Sequence, residues 1–137
     1  MKMIVTRPQH DVTTRYLSSW AEEIICLARK KGIEVVDLFR EKVNRREFEG
    51  RVRKIMPDLF FLNGHGSDIC VTGHDNGILV EVGENHGLLQ GKITYALSCN
   101  SAKSLGIKVT ENKRGTYIGY IDEFIFVADR NYISRPT

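Results

Sequence analysis

Apolar residues along this chain fall into two rhythms, short continuous runs and longer amphipathic stripes, and the two alternate from the N-terminus. Residues 3–6 form a short apolar run closed off by Pro8, which predicts a buried strand. Leu17, Trp20, Ala21, Ile24, Leu27 and Ala28 then recur on one face of a 3.6-residue period, which predicts a helix. Thr13 or Thr14 is placed to cap its start, and Gly32 follows a basic last turn of Arg29, Lys30 and Lys31. Residues 33–39 predict a second strand. Asn44 and Glu47 have capping-box spacing, with Asn in place of Ser or Thr. Phe48, Val52, Ile55 and Met56 supply the stripe of a second helix, which Pro57 stops. A third strand over residues 58–62, apolar on both faces, ends abruptly at Asn63-Gly64-His65-Gly66.

Alternating strands and helices imply a parallel sheet covered on both faces. Right-handed crossovers then give an α/β three-layer sandwich. The rhythm changes in the middle, where residues 69–72 and 78–82 flank Gly73-His74-Asp75-Asn76-Gly77, a hairpin signature. The expected fold is therefore a mostly parallel central sheet with a β-hairpin excursion. A fourth core strand over residues 93–97 runs into Ser98-Cys99-Asn100-Ser101. Residues 102–107 suit a short helix. Residues 116–121 and 124–127 suit a fifth strand interrupted by Asp122 and Glu123.

Composition sets the class. The 137 residues suit one domain over residues 1–137, and 42% hydrophobic with 27% charged residues suits a packed core without staples. The net charge of +3, from 20 basic and 17 acidic residues, is too even to point to a nucleic-acid partner. No apolar run approaches the ~20 residues of a membrane helix, so no membrane partner is expected. Residues 1–8 are too short and too soon broken for a signal peptide. Cys26, Cys70 and Cys99 are an odd, sparse set, which argues against a disulfide framework and for the cytoplasm.

Candidate chemistry gathers at two strand ends. In an open parallel sheet the carboxyl ends of the strands line the binding crevice. His65 closes the third strand and Cys99 the fourth. A thiol is a strong nucleophile once partly ionised, and an imidazole can take its proton and later give one to a leaving amine. Gly66 allows close backbone approach, and the Gly66 and Cys99 N–H groups suit an oxyanion. Cys26, on a helix between Ile25 and Leu27, is expected to be shielded, and Cys70 to sit in a hairpin strand. Cys70, His74 and His86 lack the paired spacing of structural zinc, so no metal and no cofactor is expected.

Phe60-Phe61-Leu62-Asn63-Gly64-His65-Gly66-Ser67 resembles the strand and His-Gly motif of the caspase, gingipain, legumain and separase superfamily of cysteine peptidases. Tyr95-Ala96-Leu97-Ser98-Cys99-Asn100-Ser101-Ala102 resembles its strand and catalytic Cys, and the pair is most similar to the CHAT subgroup. The resemblance covers residues 58–127, and residues 3–56 by element order. It implies a caspase-like fold and hydrolysis of peptide bonds through a thioester. Cys99 would be the nucleophile, His65 the acid and base of a dyad, and Gly66 and Cys99 the oxyanion backbone. The chain departs from the pattern at Leu97, where many members carry an acidic or amide residue, and it lacks an Ala between Ser98 and Cys99.

The expected partners follow. A peptide or protein substrate would meet a pocket drawn from Asp68, Asp122 and Glu123, which favours a basic residue before the scissile bond, with Arg7 as a competing cation. The chain ends at Thr137 soon after the fifth strand, so a homodimer or a missing C-terminal segment is expected at the sheet edge. The rival expectation is a non-catalytic caspase-like or receiver-like interaction module.

Overall fold

The computed structural model describes residues 1–127. The elements run β1 (Lys2–Arg7), α1 (Val12–Lys30), β2 (Glu34–Phe39), α2 (Arg45–Ile55), β3 (Leu59–Asn63), β4 (Cys70–Thr72), β5 (Ile78–Glu81), β6 (Ile93–Leu97), α3 (Leu105–Thr110) and β7 (Thr116–Ile118). Five strands form a sheet in the order β2-β1-β3-β6-β7, and every pairing in it is parallel. β4 and β5 pair antiparallel in a small sheet of their own. This is the three-layer α/β sandwich with a hairpin excursion that the hydrophobic pattern implies.

Period-two alternation along the central strands divides the core in two. Met3, Val5, Phe61 and Leu97 face α1, where Leu17, Ala21, Ile25 and Ala28 cover them. Ile4, Phe60, Leu62 and Ala96 face the other way, beneath Phe48 and Val52 of α2, Val71, Leu79 and Val80 of the hairpin, and Leu105 and Val109 of α3. The hairpin is therefore part of a covering layer rather than a loose appendage.

Four local expectations need correction. The α1 stripe is rotated: Ile24 and Leu27 are 42% and 52% exposed, while Ile25 is in the core. A helix packed on a sheet buries a narrow row, here Leu17, Ala21, Ile25 and Ala28, and the two residues beside that row stay wet. Cys26 shares the wet side and is exposed, not shielded. The helix after β6 starts at Leu105 rather than at residue 102, because Asn100 takes a left-handed turn (φ 59°) and Ala102 N–H donates to Tyr120 O. The last strand stops at Ile118. Residues 120–124 leave the sheet to bond the loop after β6, and residues 124–127 form no strand. The short tail towards Thr137, behind the expectation of a homodimer or a missing C-terminal segment, lies outside the described residues beyond residue 127.

Among the described residues no helix is long and apolar enough to cross a membrane. Phe48 and Phe60 are fully buried against each other, ring centroids 5.7 Å apart, where α2 meets the sheet. Truncating such a ring leaves a cavity that packed neighbours fill only in part. Phe48→Ala is expected to cost about 3–5 kcal/mol in denaturant unfolding, whereas Ile24→Ala on the wet side of α1 is expected to cost well under that.

Candidate functional site

The topology reverses between β1 and β3: β1 leads to β2 on one side, and β3 leads to β6 and β7 on the other. The crevice beyond the carboxyl ends of the strands at such a reversal is where open α/β sheets bind ligands. Thr6 and Asn63 join the strand ends at this reversal. Asn63 N–H donates to Thr6 Oγ1 at 3.0 Å, its Nδ2 donates to Thr6 O at 2.9 Å, and both residues are fully buried.

His65 and Cys99 leave this edge from neighbouring strands. Asn63 pairs with Leu97 at the ends of β3 and β6, so the two loops emerge at matching height. The His65 carbonyl is pinned by Thr72 N–H at 2.9 Å and by the Thr72 and Ser98 hydroxyls, each at 3.1 Å. Gly66 lies against the second loop. A Cβ there would collide with Ser98 Oγ and stand 2.9 Å from Cys99 O. Gly66 is thus required by close packing of the two loops, before any chemistry is considered. At Gly64, a Cβ would strike the Thr72 carbonyl oxygen.

The His65 side chain is held from the β1 side. Its Nε2 lies 2.5 Å from Oδ2 of Asp11, the residue that caps α1. The other Asp11 oxygen accepts from Thr14 N–H and from Thr14 Oγ1–H, both at 2.8 Å. Burial pushes the Asp11 carboxyl up, but the Thr14 and His65 hydrogen bonds outweigh it and hold the carboxyl below its ordinary value. An ionised Asp11 accepts a hydrogen bond from Nε2–H, and in that tautomer of the neutral ring Nδ1 is unprotonated. Sequence reasoning missed Asp11 by placing the cap at Thr13 or Thr14. The spacing from Asp11 to Thr14 was the available signal, since Asp at a cap with a hydroxyl three residues on is a capping arrangement.

Cys99 is half-buried. Its sulfur accepts from Phe124 N–H at 3.2 Å, and Asn100 N–H donates to Asp122 O at 3.0 Å, so residues 120–124 lie alongside the thiol loop. No hydrogen bond joins Cys99 to His65 among the described residues. The Gly66 and Cys99 N–H groups also have no hydrogen-bond partner among the described residues.

The expected pocket residues separate. Asp122 and Glu123 are exposed beside the Cys99 loop. Asp68 is exposed too, and its carbonyl caps the start of α3 at Ser104 and Leu105. Arg7 does not belong to the pocket. Its guanidinium is buried beside α1, paired with Asp37 at 2.7 Å and Glu22 at 2.9 Å. Desolvation works against that charge, but the two carboxylates raise its pKa overall, so Arg7 has little left to offer a substrate. Cys70, His74 and His86 do not meet. Cys70 Sγ faces Ser67 Oγ, while His74 Nδ1 and His86 Nδ1 accept from the Gln9 and Gly83 N–H groups.

Because folding lowers the Asp11 pKa, the stability that Asp11 contributes is present above its unfolded value and is lost as pH falls through the lowered one. Carboxyl NMR titration is expected to place Asp11 below about 3.9, the ordinary aspartate value. Asp11→Asn is expected to weaken the acid limb of the unfolding profile. An ordinary Asp11 titration would contradict the capped, His65-bonded geometry.

The chain matches no family model and no curated protein. What this edge does must be read from its chemistry.

Proposed function

We propose that the protein is a cytoplasmic cysteine peptidase of caspase-like type, with Cys99 as nucleophile and His65 as acid and base. The observation that carries this reading is the in-register end of β3 and β6, with the Ser98 hydroxyl bridging to the His65 carbonyl and Gly66 wedged between the loops. Two loops held this tightly keep a thiol and an imidazole on one edge at little cost in conformational entropy.

In the proposed reaction His65 Nδ1 takes the thiol proton, and the Cys99 sulfur attacks the substrate carbonyl. The Gly66 and Cys99 N–H groups bind the oxyanion. Collapse to the thioester breaks the C–N bond, and His65 returns the proton to the departing amine. Water, deprotonated by His65, then attacks the thioester, releasing the acid and restoring the thiol. Asp11 acts as a positioning residue. It was not among the expected dyad, and it gives the histidine a fixed tautomer. The Phe124 N–H donates to the Cys99 sulfur at 3.2 Å, and the thiol reaches the Phe124 carbonyl at 4.0 Å, so this segment holds the sulfur in place. Asp122 and Glu123, exposed on the segment that hydrogen-bonds this loop, support a preference for Arg or Lys before the scissile bond.

One observation favours the rival, a non-catalytic interaction module: the thiol and the imidazole each already have another partner, Phe124 N–H and Asp11. Activity separates the two readings. Cys99→Ala and His65→Ala are each expected to abolish hydrolysis of fluorogenic peptides while leaving the unfolding midpoint close to wild type. Asp11→Asn is expected to lower kcat by ~10²-fold or more with a smaller change in KM. Retained turnover in Cys99→Ala would remove the peptidase reading.

A further inference from the structure

His65 does not meet Asp11 alone. The β1–α1 loop and the hairpin loop converge on the same point and bring two more imidazoles with them. The His10 ring stands edge-on between His65 and His74, with centroids 5.9 and 5.4 Å away. His10 Nε2 is 3.7 Å from Asp11 Oδ2, the same oxygen that faces His65. One donor atom from each of His10, Asp11 and His65 falls within 4.8 Å of the other two. No other such group occurs among the described residues.

The surroundings suit a cation. The His10 side chain is only 9% exposed; its Nδ1 is buried without a hydrogen-bond partner, and its Nε2, the nitrogen facing Asp11 Oδ2, also lies 3.2 Å from Asn76 Oδ1, a contact that a bound ion would displace. His74 Nδ1 accepts from Gln9 N–H, and its Nε2 lies 3.8 Å from Asp75 Oδ1. Thr14 holds Asp11 Oδ1 with both its N–H and its hydroxyl, which fixes the carboxylate plane and leaves Oδ2 turned into the cluster. Oriented carboxylates of this kind are the usual support of metal ligands. Donors on a tetrahedral zinc at about 2.0–2.1 Å stand roughly 3.4 Å apart. The separations of 2.5 and 3.7 Å need to change by less than about 1 Å to reach that, and the two imidazole donors, within 4.8 Å of each other, need to close by up to about 1.4 Å.

We propose that His10, Asp11 and His65 form a site for one divalent ion of the zinc class, and that its occupancy switches off the His65 base. Two imidazoles and one carboxylate favour zinc and its transition-metal neighbours over magnesium or calcium, which take oxygen ligands. The switch follows from proton placement. Ligation through Nε2 requires that nitrogen's lone pair, so the His65 proton moves to Nδ1, the nitrogen that would otherwise accept from the thiol. The hydrogen bond to Asp11 is replaced by a shared ion, and the base is gone without any movement of the sheet. This regulatory half rests on the peptidase reading; the binding half does not.

The test is calorimetric titration of the untagged, chelator-treated protein with zinc chloride. One equivalent is expected to bind with micromolar affinity or better, and magnesium and calcium are expected to give no binding. His10→Ala is expected to weaken zinc by ~100-fold or more, whereas His86→Ala and Cys99→Ser are expected to leave it unchanged. His10→Gln replaces His10→Ala if circular dichroism shows that the alanine variant does not fold. Absence of stoichiometric zinc binding by the wild type overturns the site, as does binding that survives both His10 variants or disappears with Cys99→Ser. In a parallel assay, zinc is expected to inhibit peptide hydrolysis with the same midpoint as binding. Each rate is taken relative to the same variant's zinc-free rate, and His10→Ala is expected to shift that midpoint upward. Binding without inhibition overturns the switch and leaves the site standing. Binding by a protein that shows no hydrolysis in any condition overturns the peptidase reading instead.

Discussion

The Thr6–Asn63 lock is the contact on which the rest of the edge depends. The backbone ladder between β1 and β3 is in register from Met3–Leu59 to Val5–Phe61, and beyond it the strand ends are joined through the Thr6 hydroxyl and the Asn63 amide. Both residues are fully buried, so each unmade bond there would leave a polar group without water, at about 1–3 kcal/mol. The lock lets the two strands part at the point where the sheet reverses. From one side the chain delivers His10 and Asp11, and from the other Gly64, His65 and Gly66.

At this edge, charge decides what can happen. Asp11 is held ionised chiefly by the backbone and side chain of Thr14 and by His65. An ionised carboxylate against an imidazole has two uses. It can fix a tautomer for proton transfer, or it can share a metal ion with that imidazole. Both uses call on His65 Nε2, so they exclude one another at any moment. Dependence on one shared nitrogen is what would make the site switchable.

Much of the architecture was legible in the order and rhythm of apolar residues. The runs at residues 3–6, 58–62 and 93–97 alternate between two covered faces, and only a parallel sheet with helices on both sides hides both. Asn44 was readable as a cap because its side chain accepts from Glu47 N–H, three residues on. His65 and Cys99 were readable as strand-end residues, and β3 pairs with β6 in a register that brings their loops together. The Asp11–His65 contact was not readable, since it spans 54 residues and depends on where α1 begins. Nor was the gathering of His10 and His74, which depends on the hairpin folding back over the β1 exit. Arg7 misled for a related reason. A strand-end arginine suggests a ligand, but its neighbours on α1 and β2 had already claimed its charge. Local pattern reveals elements, whereas contacts between distant loops depend on register and packing.

The central claim is that Cys99 is a nucleophile activated by His65, and covalent trapping tests it most directly. An acyloxymethyl ketone peptide ending in Arg or Lys, followed by mass mapping, reports which sulfur reacts. Cys26 is exposed and serves as the internal control for ordinary thiol reactivity. The account predicts modification at Cys99 well ahead of Cys26 in the wild type, and loss of that advantage in His65→Ala. Modification confined to Cys26, or a Cys99 rate indifferent to the loss of His65, would contradict it.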